Sequence, residues 1–340
     1  MSEHKVSLDL LRERQAWPLE KKIEHTLHQI QQYDGWARTN GYNGAYLAIS
    51  GGKDSTVLHH IAKSDPFTQH IPSVFSDTGL EYPEVREMAL RLADTVVRPA
   101  KSFKEVVEKY GYPAISKQVA TKLHKLRTAK PGSAGYRLIM EGITSAGRVF
   151  PQGKLAEKWK YLINGEVRIS GQCCDELKKK PMLKYAKKAR RVPIVGVMAG
   201  ESNGRERDYL RYGCNAIEGN KPMSRPMAFW TEQDILSYIH TNEIPLASVY
   251  GEIVVCSGQY ELTGVQRTGC IFCAFGCHLE KKSRFKQLKE THPKLWDYCK
   301  RVLGTDKILK VMGVDISWDA EGYEEPAEQI NLFEKCSCKS

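Results

Sequence analysis

Residues 46–58 read Tyr-Leu-Ala-Ile-Ser-Gly-Gly-Lys-Asp-Ser-Thr-Val-Leu, an apolar run that breaks into a Gly-rich polar segment and then resumes as an amphipathic one. This pattern predicts a strand, a loop and a helix. Two adjacent glycines let the backbone turn tightly, so the amides of residues 51–55 can converge on an anion at the helix N-terminus. Lys53 adds a positive charge, and Ser50 and Ser55 add hydroxyl groups. We therefore expect a phosphate-binding loop here.

Strands and helices alternate on both sides of this loop. Short apolar runs predict further strands at residues 71–76, 95–97, 167–170 and 193–198, and helix-forming stretches cover 9–40, 54–64 and 83–93. The alternation predicts an α/β fold, a doubly wound and mainly parallel sheet with helices on both faces. Ligands bind such sheets at the carboxyl ends of the strands. Asp77, Thr78 and Gly79 follow the second strand and should therefore face the loop.

Length and composition suggest how the chain is divided. Its 340 residues are 41% hydrophobic, enough for a large core. We expect a helical N-terminal lead at 1–40, an α/β nucleotide-binding domain at 41–250 with a basic insertion at about 101–165, and a cysteine-rich region with C-terminal helices at 251–340. No apolar run reaches the roughly 18 residues of a membrane span, and the start shows no signal-peptide core, so we expect a cytoplasmic protein with no membrane partner. The oligomeric state stays open.

Positive charge is concentrated in two tracts. The net charge is +11 and the pI about 9.0. Residues 117–160 hold ten Lys or Arg against two acidic residues, and residues 178–191 hold eight against none. These tracts suit a polyanion such as a nucleic acid, with Lys122, Lys125 and Arg127 as candidate phosphate contacts, or they are simply solvated helix faces.

Ten cysteines without a secretion signal favour metal or redox chemistry over disulfides. Cys270, Cys273 and Cys277 form Cys-x2-Cys-x3-Cys, a metal-binding spacing that supplies three ligands. The adjacent Cys173 and Cys174 can supply a fourth. Cys270 and Cys273 are the surest ligands, and the other three compete for two places. Iron-sulfur and zinc sites both remain open. We expect Cys214, Cys256 and Cys299 to be ordinary buried thiols. The role of Cys336 and Cys338 stays open.

Ser-Gly-Gly-Lys-Asp-Ser at 50–55 resembles the PP-loop of the ATP pyrophosphatases, whose fold is of the adenine nucleotide α-hydrolase-like type. It is not a Walker loop, because its glycines are adjacent and Asp follows Lys. The resemblance implies that the loop binds ATP with Mg²⁺ and holds the leaving pyrophosphate while an acceptor oxygen attacks the α-phosphorus. Lys53 would neutralise charge on the leaving group, and Asp54 or Asp77 would position the magnesium. The nucleotide-binding residues it implies in the loop are Ser50, Gly51, Gly52, Lys53, Asp54 and Ser55.

Three further segments resemble the PAPS reductase-like branch of this superfamily. Residues 76–84, Ser-Asp-Thr-Gly-Leu-Glu-Tyr-Pro-Glu, are similar to a nucleotide-site segment and imply roles for Ser76, Asp77, Thr78 and Gly79. Residues 201–205, Glu-Ser-Asn-Gly-Arg, resemble a substrate-binding segment and imply roles for Glu201, Ser202 and Arg205. Residues 226–239 are also similar to a segment of this branch, but we expect them to have a structural role. Thr231 and Asp234 should form a capping box, and Trp230 should lie in the core.

A Cys-Cys pair followed by Cys-x2-Cys resembles the motif that holds a 4Fe-4S cluster in iron-sulfur sulfonucleotide reductases. The extra Cys277 departs from this motif. One upstream cysteine combined with a downstream group of three cysteines resembles the pattern of DndC-type proteins, the ATP pyrophosphatases of DNA phosphorothioation. Because Cys173 and Cys174 follow the predicted strand 167–170, we expect the cluster at the sheet edge that carries the loop.

These resemblances imply an ATP-dependent adenylating sulfurtransferase that acts on DNA or tRNA and receives sulfur from a donor such as a cysteine desulfurase. Two alternatives remain. One is a PAPS or APS reductase. The other is a non-catalytic nucleic-acid-binding protein stabilised by Zn²⁺.

Overall fold

A computed structural model describes residues 5–219 and 221–319. Its helices are α1 (Leu8–Gln15), α2 (Leu19–Thr39), α3 (Lys53–Ser64), α4 (Pro83–Leu92), α5 (Phe103–Tyr110), α6 (Lys117–Thr128), α7 (Ala134–Met140), α8 (Lys180–Ala189), α9 (Asn203–Tyr212), α10 (Glu232–Thr241), α11 (Arg284–Thr291), α12 (Pro293–Arg301) and α13 (Thr305–Val311). Its strands are β1 (Ala45–Ile49), β2 (Ser73–Ser76), β3 (Thr95–Val97), β4 (Ala114–Ile115), β5 (Val192–Val195), β6 (Asn215–Ala216), β7 (Met223–Ser224), β8 (Ile253–Cys256), β9 (Gln259–Leu262) and β10 (Ala274–Phe275).

The chain forms two compact units. The first contains the chain up to Asp77, Glu81–Pro99 and Lys180–Gly269, and the second contains Thr78–Leu80, Ala100–Lys179 and the chain from Cys270 onward. This division differs from the expected one. The N-terminal helices belong to the first unit, and the basic insertion shares a unit with the cysteine-rich region.

The first unit is built on a six-stranded sheet with the order β3-β2-β1-β5-β7-β6. Every neighbouring pair is parallel except β6 and β7. With helices flanking this sheet, the predicted α/β fold is confirmed. The chain runs outward from β1 to β2 and β3 on one side, whereas β5 pairs on the other side of β1. The end of β1 is therefore a topological switch point, where open α/β sheets bind ligands.

Apolar residues of β1, α2 and α3 form the core of the first unit. Leu47, Ile30 and Leu58 are fully buried in it. Because α2 contributes to this core, the N-terminal helix cannot be a separate lead. The predicted capping box is confirmed at the start of α10, where the Thr231 hydroxyl accepts from the Asp234 amide and Asp234 accepts from the Thr231 amide. Trp230 is buried and donates to the Thr26 hydroxyl (3.0 Å), so its predicted core role is confirmed.

The second unit is mainly helical. Its strands β4 and β10 pair in parallel and form a two-stranded sheet. The buried Tyr112 hydroxyl donates to the Phe272 carbonyl (2.7 Å) and lies 2.7 Å from the Thr305 hydroxyl. The β4–β10 pairing and this side chain therefore both join the basic insertion to the segment after Cys270, and the two share a unit.

The predicted strand at 167–170 is wrong. Ile169 makes only an isolated bridge with Tyr112, in the second unit, and this segment is not part of the six-stranded sheet. Its two apolar residues, Val167 and Ile169, lie between charged or polar neighbours, and their carbonyls accept from the Arg127 guanidinium. The backbone hydrogen bonds to Tyr112 are made by Arg168 and Ser170. Cys173 and Cys174 are predicted to lie at the sheet edge because they follow this segment, and that prediction no longer has support.

Within the described ranges, none of the helices combines the length and the apolar character that crossing a membrane requires.

Candidate functional site

The loop after β1 is shaped by its two glycines. Gly51 has a φ of +73°. A Cβ atom there would overlap the Val85 carbonyl oxygen and lie 2.9 Å from the Ala89 amide nitrogen, both on α4. Gly52 is the N-cap of α3 and offers no side-chain cap. The N-cap residue thus offers no side chain to the first amides of α3, as the predicted anion site requires, and the Lys53 amide donates instead to the Tyr250 hydroxyl (3.1 Å).

The two loop serines hold the turn together. The Ser55 hydroxyl accepts from the Ser50 amide (3.1 Å) and donates to the Gly52 carbonyl (3.0 Å). The Ser50 hydroxyl lies 3.1 Å from the Ser55 hydroxyl and accepts a hydrogen bond from the Gly52 amide at 3.4 Å. Both hydroxyl groups therefore help to hold the turn, Ser55 through the Ser50 amide and the Gly52 carbonyl and Ser50 through the Gly52 amide.

Lys53 is buried, with 4% of its side chain exposed. Its Nζ lies 3.2 Å from Glu232 Oε1 and 3.7 Å from Asp54 Oδ1, and it donates to the Gln266 carbonyl at 3.4 Å. The loop cation is therefore balanced by two carboxylates. Sequence reasoning missed Glu232, because its place at the start of α10 indicates helix-dipole stabilisation equally well.

Burial raises the pKa of Asp54, and the nearby Glu232 raises it further, while Lys53, Arg267 and Arg205 oppose the change. Its Oδ1 is buried without a hydrogen-bond partner. A carboxylate oxygen left in this state beside a second carboxylate is suited to a hard cation. Asp54 therefore fits the predicted magnesium role.

Asp77, unlike Asp54, has arginine partners for both of its carboxylate oxygens. Arg86 donates to both of its oxygens, at 2.7 and 2.8 Å, and Arg98 Nε donates to Oδ2 at 3.3 Å. Burial would raise the pKa of Asp77, but these two guanidinium groups outweigh it and hold the pKa below its usual value. Both oxygens are thus taken by arginines, and the structure favours Asp54 over Asp77 as a magnesium ligand.

The remaining predicted nucleotide residues are distributed as follows. Ser76 ends β2 in the first unit, whereas Thr78 and Gly79 belong to the second unit. The Ser202 hydroxyl caps α9 by accepting from the Arg205 amide, and the Glu201 carboxylate accepts from the Met198 amide. Arg205 pairs with Glu201 and is close enough to Asp54 to act on its pKa. The structure therefore brings Arg205 to the loop and gives Ser202 a capping role.

Sequence reasoning also missed Tyr250, Arg267 and Thr268. The Lys53 amide donates to the Tyr250 hydroxyl (3.1 Å), which lies 2.7 Å from the Thr268 hydroxyl. Arg267 acts on the pKa of both Asp54 and Arg205. The available signal was the polar segment Gln266-Arg267-Thr268-Gly269 directly before Cys270, which has no apolar period of its own.

Four of the predicted metal-ligating thiols lie in one neighbourhood of the second unit. Cys173 and Cys174 are hydrogen-bonded to each other, and both Cys270 and Cys273 act on the pKa of Cys173. The hydrogen bond from Cys173 lowers the pKa of Cys174, helped by Lys117 and Lys178. The structure thus groups the Cys-Cys pair with Cys-x2-Cys.

Cys277 has a different environment. Burial raises its pKa to about 11, and the charged groups that act on it are Glu280 and Arg284, the latter shared with Cys273. Within residues 5–219 and 221–319, no three His, Cys, Asp or Glu side chains already converge as metal ligands do. The four grouped thiols fit a thiolate-held metal centre in their chemistry.

The other cysteines differ among themselves. Cys214 and Cys299 are buried, as expected, but Cys256 is exposed at the end of β8, so the prediction that it is buried is wrong. Its strand belongs to a two-stranded hairpin, which leaves one face open to solvent. Cys336 and Cys338 lie outside the described residues.

The first basic tract is partly structural. The Arg127 guanidinium donates to the carbonyls of Leu162, Val167 and Ile169, and Lys122 donates to the carbonyls of Gln152 and Lys154. These two cations hold the insertion together and are poor choices for phosphate contacts. Exposed cations of the same tract include Lys125, Lys130 and Arg137. The second tract lies largely on α8, where Lys184, Lys187 and Lys188 are exposed.

Comparison with known proteins agrees with the motifs. Residues 136–275 match the family described as phosphoadenosine phosphosulfate reductase domain. The match includes all four grouped cysteines and the segment 201–205, but not the loop at 50–55. No curated protein matches the chain significantly.

Two solved structures are similar to it. One is phosphoadenylyl-sulfate (PAPS) reductase from Candida auris in a phosphate complex, with 12% identity, a TM-score of 0.36, and coverage of 72% of this chain and 92% of that chain. The other is the U34-tRNA thiolase NcsA from Methanococcus maripaludis with its 4Fe-4S cluster, with 12% identity, a TM-score of 0.36, and coverage of 86% of this chain and 80% of that chain. The chain therefore contains a region, residues 136–275, that matches the PAPS reductase domain.

Proposed function

We propose that this protein is an ATP pyrophosphatase that adenylates an acceptor and so prepares it for sulfur transfer. The observation that carries the proposal is the loop after β1, where the N-cap Gly52 offers no side chain to the first amides of α3. The buried Lys53 cation and the adjacent Asp54 carboxylate lie in this loop, at the switch point of the sheet. An acceptor oxygen would attack the α-phosphorus of ATP, and the bond to the β-phosphate oxygen would break. Pyrophosphate would leave in the loop.

Each loop residue has a physical role in this reaction. The Lys53 ammonium would offset the negative charge that builds on the leaving pyrophosphate. Asp54, with Glu232 beside it, would hold Mg²⁺ against the phosphates once the Lys53 side chain turns from the carboxylates to the nucleotide. Arg205 and Arg267, which both act on the pKa of Asp54, would add positive charge near the phosphates.

The grouped thiols Cys173, Cys174, Cys270 and Cys273 would hold a 4Fe-4S cluster, with Zn²⁺ as the alternative metal. When bound, such a cluster supplies redox capacity or an iron site for sulfur. Lys117 and Lys178 already favour the thiolate form of Cys174, which is the form that binds metal. The eight cysteines among the described residues are all free, which suits the reducing cytoplasm.

The acceptor would be a nucleic acid, DNA or tRNA, held by its phosphates. The exposed cations at Lys125, Lys130 and Arg137 support this, because they are not used to stabilise the insertion in the way that Lys122 and Arg127 are. The sulfur would come from a donor protein such as a cysteine desulfurase.

A sulfonucleotide reductase is the second candidate. The family match is named for PAPS reductase, and the grouping of a Cys-Cys pair with Cys-x2-Cys favours it over the DndC-type pattern. A reductase would cleave PAPS or APS and release sulfite without consuming ATP. The complete Ser-Gly-Gly-Lys-Asp-Ser loop favours ATP.

One experiment separates the candidates. Anaerobically purified protein is given ATP with DNA, with tRNA or with no acceptor, and pyrophosphate is measured. In parallel it is given PAPS or APS with a dithiol reductant, and sulfite is measured. We expect pyrophosphate that rises with one nucleic acid, and no sulfite. Sulfite release without any turnover of ATP would overturn the proposal, and inactivity in every arm would favour the zinc-stabilised binding protein.

A further inference from the structure

Two side chains outside the sequence motifs, Tyr250 and Thr268, lie against the phosphate loop. The phenol oxygen of Tyr250 accepts from the Lys53 amide at 3.1 Å, and the Thr268 hydroxyl lies 2.7 Å from that same oxygen. A Cβ atom at Gly52 would meet both hydroxyl oxygens, at 3.3 and 3.5 Å. Two hydroxyl groups therefore stand directly over the glycine turn.

The backbone fixes the position of these hydroxyls. Tyr250 ends a short 3-10 turn, and its carbonyl accepts from the Gly264 amide (2.9 Å), while the Val249 carbonyl accepts from the Val265 amide (2.9 Å). Gly264 approaches the Tyr250 backbone so closely that a Cβ atom there would lie 2.6 Å from the Tyr250 carbonyl carbon. Tyr250 is 1% exposed. Its hydroxyl is therefore held in place and does not belong to a loose surface loop.

The partner of Tyr250 is the amide at which an anion would bind. The Lys53 amide is in the first turn of α3 and has no acceptor within its own helix. A neutral phenol oxygen is a weaker acceptor for it than a charged phosphate oxygen. Burial raises the pKa of Tyr250. The phenol therefore keeps its proton and can donate a hydrogen bond as well as accept one.

We propose that Tyr250 and Thr268 are binding residues for the pyrophosphate part of ATP, an inference that rests on the function proposed above. A phosphate oxygen takes over the Lys53 amide, and the Tyr250 hydroxyl changes from acceptor of that amide to donor toward the phosphate. Thr268 orients the phenol by its own hydrogen bond. No covalent bond changes in this step.

Titration calorimetry with inorganic pyrophosphate tests the inference. The variants are Tyr250→Phe and Thr268→Val, and the matched control is Tyr260→Phe, which removes a phenol hydroxyl from β9 in the same unit. Loss of one hydrogen bond to a charged acceptor should weaken pyrophosphate binding about tenfold in Tyr250→Phe, equivalent to about 1.4 kcal/mol. Thr268→Val keeps the phenol and should weaken binding by roughly threefold, and the control should bind as the wild type does.

A purely structural role for Tyr250 predicts a different result. In that case Tyr250→Phe lowers the melting temperature without pyrophosphate but leaves the affinity for pyrophosphate unchanged. Unchanged or tighter binding in Tyr250→Phe, with normal binding by the wild type, overturns this inference and leaves the proposed function standing. If Tyr250→Phe does not fold, unchanged binding in Thr268→Val is the contradicting result. Failure of the wild type to bind pyrophosphate or to release it from ATP removes the proposed function and this inference together.

Discussion

Gly51 stands where the backbone must be left-handed and where there is no space for a side chain. Its φ is +73°, and α4 closes over its Cα. Gly35, on the exposed side of α2, has a helical backbone and no atom within 4 Å of a Cβ placed there. Replacement by alanine should therefore have opposite effects on stability at these two glycines.

Gly51→Ala should lower the free energy of unfolding by at least about 2 kcal/mol, because the left-handed conformation costs 1–2 kcal/mol and the overlap with Val85 adds to it. Gly35→Ala should raise it by about 0.5–1 kcal/mol, because alanine favours a helix over glycine. Urea unfolding of the two variants provides the check. Equal stabilities would mean that the turn is not constrained as described.

The two environments of the cysteines lead to a second prediction. The Cys270 and Cys174 thiols act on the pKa of Cys273, whereas the charged groups that act on Cys277 are Glu280 and Arg284, which Cys273 shares. Anaerobic Cys273→Ser should lose its bound iron, and Cys277→Ser should keep about four irons per chain. Iron and sulfide analysis of both variants measures this. Retention of iron in Cys273→Ser with loss in Cys277→Ser would reverse the assignment.

At the scale of elements, Asp34 joins α2 to the start of β1. Its carboxylate accepts from the Ala45 amide (2.6 Å), from Arg38 (2.7 Å) and from His70 (3.1 Å). Burial alone would raise the pKa of Asp34, but these hydrogen bonds outweigh it and leave the pKa below its usual value of 3.8. The charged form is thus the one that stabilises the fold.

Asp34→Asn should cost about 2 kcal/mol at neutral pH, since hydrogen bonds to a charged group contribute roughly 1.5–3 kcal/mol. A depressed pKa gives stability that is present above the unfolded value and is lost as pH falls through the folded one. The difference from wild type should therefore persist from pH 7 down to about pH 4 and close below it. Asp9→Asn, on the exposed face of α1, serves as the control. A difference independent of pH would contradict the role of the charge.

Elements with a strong local pattern were predictable. Apolar β1 followed by Gly-Gly and an amphipathic helix specifies its own structure, and the capping box of Thr231 and Asp234 marks the start of α10. The segment at 167–170 was not predictable in this way, because two apolar residues around Arg168 suit a strand or an extended loop equally. Its one pairing partner, Tyr112, is more than fifty residues away.

Site residues divide along the same line. Those in contiguous motifs, such as Lys53 and Asp54, could be named from the sequence. Glu232 and Tyr250 reach the loop only through tertiary packing, and their local sequence carries no sign of it. The sequence also could not show that Arg127 is occupied by three backbone carbonyls.

The whole molecule consists of two units, and the second carries both the basic insertion and the grouped cysteines. If this unit holds a nucleic acid, affinity should fall as salt rises, with each phosphate contact adding about 0.9 to the slope of log affinity against log salt. Replacing Lys125, Lys130 and Arg137 by Gln should flatten that slope by about two to three. Filter binding with tRNA and with duplex DNA across a salt series gives the slope.

The control for this experiment is an equal charge change elsewhere in the same unit, the exposed Lys286, Lys294 and Lys307 replaced by Gln. These variants should keep the wild-type slope. An equal loss in both triple variants would show that only net charge matters. Binding that does not depend on salt would argue against a polymeric substrate.

The central claim is that the loop at 50–55 releases pyrophosphate from ATP, and the products formed by the wild type, Lys53→Ala and the exposed control Lys307→Ala test it most directly. With labelled ATP and the preferred nucleic acid, wild type and Lys307→Ala should give AMP or adenylated acceptor together with pyrophosphate. Lys53→Ala should be slower by about a hundredfold or more, because the leaving group loses its buried cation, while its circular dichroism shows a folded protein. ADP and phosphate as the products, or turnover by folded Lys53→Ala close to that of the wild type, would contradict the account.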